Sequence, residues 1–133
     1  MPTEAEWEKA ARGGLVGKRY PNGDTINQTN AQYSFGQTTT VGSFQANGYG
    51  LYDMAGNVWD TCWDVLDYTW YGQSSAGSDD PHGPSTISPD FARVMRGGAY
   101  YAPDSYLRVA FRAGYPANGA CNNNQGFRSV RGF

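Results

Sequence analysis

The stretch GLYDMAGNVWD, Gly50 to Asp60, constrains the fold more than any other part of the chain. It combines the turn formers Gly50, Gly56 and Asn57 with two potential oxygen ligands, Asp53 and Asp60, and with the large apolar side chains of Met54, Val58 and Trp59. A periodic helix has no use for Gly56-Asn57 in its middle, so the stretch reads as a tight turn whose glycine takes a positive φ. Tyr52, Met54, Val58 and Trp59 are then expected to face a core, while backbone carbonyls and carboxylates converge on the other side. Converging hard oxygens suit a calcium ion. The competing reading is the commoner one for an Asp beside a turn, a cap or an Asx-turn.

A chain of 133 residues supports one hydrophobic core, so 1–133 is expected to form a single domain. Charged residues are 17%, aromatics 15%, and glycines number 18, a mixture that favours turns and short strands anchored by flat side chains over a helical bundle. The net charge of −2 gives no electrostatic reason to bind nucleic acid or an anionic membrane. No apolar run is long enough to span a bilayer, and Met1-Pro2-Thr3-Glu4 does not read as a signal peptide; the compartment stays open. Cys62 and Cys121 either pair or stay free, with the unpaired state favoured because aromatic packing makes a staple unnecessary. His82, alone in a Pro-Gly loop, reads as a surface residue, and Asp79-Asp80 as a turn. There is no Ser-His-Asp constellation and no phosphate loop.

Thr3 followed by Glu6 is a capping box, with Trp7, Ala10 and Ala11 on one face and Gly13-Gly14 as the stop; this predicts a helix that buries Trp7 and leaves Glu8, Lys9 and Arg12 solvated. Residues 18–45 read as loops and short extended pieces. Strands are predicted at Val58–Trp63, at Arg93–Arg96 ending on Gly97-Gly98, at Leu107–Arg112 by alternation, and at Gly126–Val130. Asp64–Tyr71 reads as a loop or one helical turn, and Gln73–Asp90 as an exposed loop.

Four stretches in order, PTEAEWEKAARGG, NGYGLYDMAGNVWDTCWD, DPHGP with RVMRGGAY, and GFRSV, resemble the formylglycine-generating enzyme family. The resemblance touches nearly the whole chain and implies a C-type-lectin-like α+β fold with one N-terminal helix, short strands and long loops. In the enzymes of that family a pair of cysteines near the alternating strand before the last binds copper and performs an oxidation. The corresponding segment here, YYAPDSYLRVAFRAG, contains no cysteine, and neither Cys62 nor Cys121 matches the pair. Without a thiolate nucleophile or soft metal ligand at that place, the resemblance implies a non-catalytic member with no copper. The family's calcium ligands carry over as the carboxylates of Asp53 and Asp60 and the carbonyls of Gly56 and Val58. A second family site would begin at Asn30-Ala31, but its acidic partner segment is shortened here, and it is not expected.

The chain also resembles the variable proteins of diversity-generating retroelements, which use the same fold. Mutagenesis at template adenines there turns AAC codons into NNC, which cannot encode Lys, Glu, Gln, Met or Trp. From Ala99 to Asn124, 26 residues, none of these types occurs, although 17 of the first 98 residues belong to them. At that background a window with none has a chance of roughly 1%. The window is rich in Tyr, Asn, Ala, Gly, Asp and Ser, a composition suited to adaptable binding loops, with LRVAFR patterned as a fixed strand inside it. The resemblance implies a receptor-type protein that binds a macromolecular ligand, a protein by preference, through Tyr100, Tyr101, Ala102, Asp104, Ser105, Tyr106, Ala113, Gly114, Tyr115, Ala117, Asn118, Asn122 and Asn123. Trp7, Trp59, Trp63, Leu107, Val109 and Phe111 are expected inside as the fixed scaffold. The alternative is a degenerate homologue of the enzymes with a structural or carbohydrate-binding role.

Overall fold

The computed structural model describes residues 1–77, 81–84, 91–116, 119 and 122–131. One helix, α1 (Glu4–Arg12), packs on a four-stranded sheet made of β1 (Trp59–Val65), β2 (Ala92–Arg96), β3 (Ala113–Pro116) and β4 (Gln125–Phe127). The strand order is β3-β2-β1-β4; β1 and β4 run parallel and the other pairs antiparallel. The helix begins as its capping box requires. Thr3 Oγ1 accepts from the Glu6 amide, Glu6 Oε2 accepts from the Thr3 amide, and Gly13 closes the C-terminus at φ 55°. This satisfies amide donors that a helix start otherwise leaves open and stops the run with a left-handed glycine.

The buried cluster between α1 and the sheet consists of Trp7, Ala11, Met54, Cys62, Val94 and Val109. Buried charge crosses the same layer. Arg96, fully buried, stacks on the Trp7 ring at 5.2 Å and pairs with Glu4 and Glu8. Glu4 also takes Arg112 on both carboxylate oxygens, at 2.7 and 2.8 Å. Glu8 and Arg12 are therefore half-buried partners of an ion network, not the solvated pair that helical periodicity predicts; Lys9 is exposed as expected.

The Gly50–Asp60 turn forms as the sequence requires, with Asp53, Gly56 and Asn57 all at positive φ. Gly56 donates to Gly97 and Asn57 to Gln32, so two distant loops are tied to one another here. A Cβ at Gly56 would run into the Gln32 carbonyl. Gly56→Ala is thus expected to destabilise the protein by about 2–3 kcal/mol, through strain at positive φ and displacement of the 32–34 segment, measured as a loss in the denaturant midpoint. Met54 and Trp59 are buried as expected, whereas Tyr52 is 49% exposed, because the left-handed Asp53 turns the chain between it and Met54.

Three other expectations are corrected. Leu107–Arg112 is not a strand: a 3-10 turn, Asp104–Leu107, enters it, an irregular passage follows, and β3 begins only at Ala113. The alternation reflects burial across that passage, with Leu107 and Val109 buried and Arg108 and Ala110 exposed. Trp63 is 52% exposed instead of internal. Asp60 and Asp64 occupy the inward positions of β1, where they accept from the Trp7 indole and the Glu4 amide, so the opposite parity carries Trp63 outward. There it lies against Arg93, 5.0 Å from ring to guanidinium. The last strand spans Gln125–Phe127 only, and the 64–77 region contains 3-10 turns at Trp70–Gly72 and Ser74–Gly77.

Candidate functional site

Trp59 opens β1 on the face away from α1 and forms the base of an aromatic surface. It is 3% exposed and packs with Met95 and Ala99, with Phe111, Ala113 and Tyr115 against that cluster. Tyr106 stacks on Phe111 with centroids 4.5 Å apart, and both rings lie 6.2 Å from Trp59. Tyr101, half exposed, accepts hydrogen bonds at its hydroxyl from Trp59 Nε1 (3.3 Å) and Asn124 Nδ2 (3.0 Å), and meets Tyr100 edge-on. Asn122 Nδ2 donates to the Tyr115 hydroxyl. Three successive segments, 99–111, 113–116 and 122–125, therefore meet over one tryptophan that lies 40 residues or more before them.

The predicted contact residues divide by exposure. Tyr101, Asp104, Tyr106, Asn122 and Asn123 are exposed; Tyr100, Ser105, Ala113, Gly114 and Tyr115 are half-buried. Ala102 is fully buried, in a cluster with Tyr20, Ala31 and Leu107, so the expectation that it faces a ligand is corrected. Gly114 lies in β3 opposite Val94, where a side chain would meet Leu66. Ala117 and Asn118 lie outside the described residues, as does Cys121. Cys62 is a free, fully buried thiol, and burial pushes its pKa far above the ordinary thiol value; it is an inert apolar residue.

Asp53, Gly56, Val58 and Asp60, the four residues expected to hold calcium, line one cavity of about 480 Å³. Asp53 Oδ2 accepts from the Gly42 amide at 2.7 Å, and Asp53 Oδ1 is buried without a hydrogen-bond partner. Asp60 Oδ2 accepts from Trp7 Nε1 and from Arg128 Nε at 2.6 Å, and Arg128 Nη2 donates to the Asp53 carbonyl. Burial raises the Asp60 pKa and the nearby Asp53 charge adds to this, while Arg128 and the indole pull it down. Two carboxylates, one with an orphaned oxygen, fit a hard cation that prefers oxygen ligands. No group of three or more His, Cys, Asp or Glu side chains converges among the described residues, so further ligands would have to be carbonyls or water. Sequence reasoning missed Arg128 as a member of this site. Its place in the GFRSV stretch, directly after β4, was the available signal.

The chain matches the sulfatase-modifying factor enzyme 1-like domain over residues 1–133. It is 41% identical over 147 residues to the formylglycine-generating enzyme of Streptomyces coelicolor, covering 96% of this chain and 45% of that protein. It is 43% identical over 132 residues to the serine/threonine-protein kinase pkn1 of Chlamydia pneumoniae, covering 98% of this chain and 20% of that protein. Among solved structures, Treponema denticola variable protein 1 superposes with a TM-score of 0.79 at 34% identity, over 96% of this chain and 45% of that one. The chain thus spans less than half the length of each of these relatives. The helix, the twisted sheet and these likenesses together give a C-type-lectin-like α+β fold, and the chain belongs to the sulfatase-modifying factor enzyme 1-like, or formylglycine-generating enzyme, family.

Proposed function

We propose that the chain is a non-catalytic binding module whose aromatic surface over Trp59 engages a protein ligand, and that window 99–124 is diversified as in the variable proteins of diversity-generating retroelements. The observation that carries this is the division within the window. Exposed Tyr101 and Tyr106 stand on buried Trp59 and half-buried Phe111, while Leu107 and Val109 are buried in the clusters beyond, so side chains that offer contact area are separate from those that hold the fold. Tyrosine suits the role because its large amphipathic ring is ordered at small entropic cost. The likeness to the Treponema denticola variable protein supports the same reading. Sequencing several copies of the locus tests it. Substitutions should concentrate at Tyr101, Asp104, Tyr106, Asn122 and Asn123 and spare Ala102, Leu107, Val109 and Arg112; changes spread evenly over the window would refute it.

A second reading, a degenerate homologue of the enzymes with a structural or carbohydrate-binding role, draws on the 41% identity to the Streptomyces coelicolor enzyme. The two separate on genomic context: a near-copy of the codons for 99–124 beside a reverse transcriptase supports diversification, and its absence supports the degenerate homologue.

We further propose that calcium binds through the carboxylates of Asp53 and Asp60 and the carbonyls of Gly56 and Val58, where it would fasten the Gly50–Asp60 turn. A ligand of the native state alone stabilises by mass action, about 2.7 kcal/mol at a hundredfold excess over Kd. Adding a chelator is expected to lower the melting temperature, and Asp53→Ala to remove that sensitivity. A melting temperature indifferent to calcium and chelator alike would count against the metal.

A further inference from the structure

Strand β1 shifts register against β2 between Thr61 and Val65, and Trp63 sits in the break. Its amide donates to the Pro2 carbonyl and its own carbonyl accepts from Arg93 Nη1, so both backbone groups are satisfied off the ladder. A bulge of this kind re-aims a side chain. Here it holds an indole that is 52% exposed on the sheet face away from α1. The Arg93 guanidinium lies over two rings, Trp63 at 5.0 Å and Phe91 at 5.1 Å. Nη1 is taken up by the Trp63 carbonyl, while Nε and Nη2 meet no acceptor among the described residues. Arg12, Arg96, Arg112 and Arg128, by contrast, each pair with an acid. Arg19 and Arg108 do not, but each lies over a single ring, at 5.7 and 5.9 Å.

We propose that Arg93 receives the carboxylate of an acidic side chain from a protein partner, bidentate on Nε and Nη2, with an apolar neighbour of that side chain against the open part of the Trp63 indole. The guanidinium selects the group. Two parallel N–H donors fit the two oxygens of a carboxylate, and stacking on the rings orients the fork before the partner arrives. An exposed ion pair is ordinarily worth little because two long side chains must be ordered; here one of them is already held. The rings attract the cation without neutralising it, so its charge stays available to an anion. Arg93 stands opposite Tyr115 in the β2–β3 ladder, and Tyr115 packs against the Trp59 cluster, so the site adjoins the aromatic surface. Trp63, Phe91 and Arg93 lie outside window 99–124 and do not depend on its diversification. The proposal rests on the binding-module reading only in taking the partner to be a protein.

The test is a titration of the 15N-labelled chain at neutral pH with Nα-acetyl-glutamyl-leucine amide, following the Trp63 indole N–H resonance, assigned by its loss in Trp63→Phe. A saturable shift is expected, with about tenfold weaker binding of the glutaminyl analogue, as loss of a charge-assisted pair predicts. Arg93→Lys, which keeps the charge and loses the fork, should weaken binding by a similar factor. Arg108→Gln, which removes another arginine without an acid, should leave it unchanged. Absence of a saturable shift, equal binding of the glutaminyl analogue, or a folded Arg93→Lys protein that binds as the parent does overturns the proposal. Equal binding of inorganic phosphate would mark a general anion site and overturn the carboxylate assignment, and a loss of binding in Arg108→Gln would place the probe elsewhere and do the same. Should Arg93→Lys fail to fold, the ratio of the two peptides on the parent chain decides alone. A lack of diversity among copies of the locus would leave these results standing, and their failure would leave the aromatic surface untouched.

Discussion

Trp59→Ala is expected to destabilise the protein by about 3–5 kcal/mol, as truncation of a buried indole does. Trp59 is 3% exposed, packs with Met95 and Ala99, and supports Tyr106 and Phe111, so its removal opens a cavity under three segments of chain. Tyr101→Ala should cost about 1 kcal/mol, since half the ring is already in water and the main loss is its hydroxyl as acceptor for the Trp59 indole and Asn124. That exceeds the few tenths typical of an isolated surface residue, because those donors lose their partner. Denaturant titration of both variants measures the ratio directly, and equal losses would mean that the tyrosine belongs to the core.

The second large effect is expected at Glu4. Glu4→Gln should destabilise by about 3–5 kcal/mol, the range for breaking a buried ion network from one side. Glu4 is 1% exposed and holds Arg112 through both oxygens, and its Oε1 lies 3.3 Å from Arg96 Nε, close enough for attraction though not aligned as a hydrogen bond. The substitution leaves a fully buried guanidinium with Glu8 as its remaining carboxylate. The same pair ties α1 to Arg112 inside window 99–124, so that arginine is a fixture of the scaffold. Chemical unfolding checks this, and a loss under 1 kcal/mol would show that water reaches the network.

Features encoded locally were legible in the sequence. The Thr3–Glu6 box, the glycine stop and the positive φ at Gly56 depend on residues a few positions apart, and each forms as expected. Features set by distant partners were not. The outward parity of Trp63 follows from Asp60 and Asp64 reaching Trp7 and Glu4, contacts that span 53 and 60 residues. The alternation at 107–112 looks strand-like but comes from a passage pinned by Val109 to the Arg19 carbonyl, not from a sheet ladder. At the cavity beside the Gly50–Asp60 turn the four residues named as ligands line the same space, because they come from one turn. Arg128 arrives from 68 residues beyond Asp60, brought there by the pairing of β4 with β1, so the turn's own sequence does not announce it.

The division between a fixed scaffold and a free surface is tested most directly by two libraries of the chain, displayed and challenged with protease. One is randomised at Tyr101, Asp104, Tyr106, Asn122 and Asn123, the other at Ala102, Leu107, Val109, Phe111 and Arg112. Most members of the first are expected to resist cleavage within about 1 kcal/mol of the parent, as substitutions at exposed positions do, while most of the second are cut as unfolded chains. Equal sensitivity of the two libraries would contradict the division, and with it the binding surface.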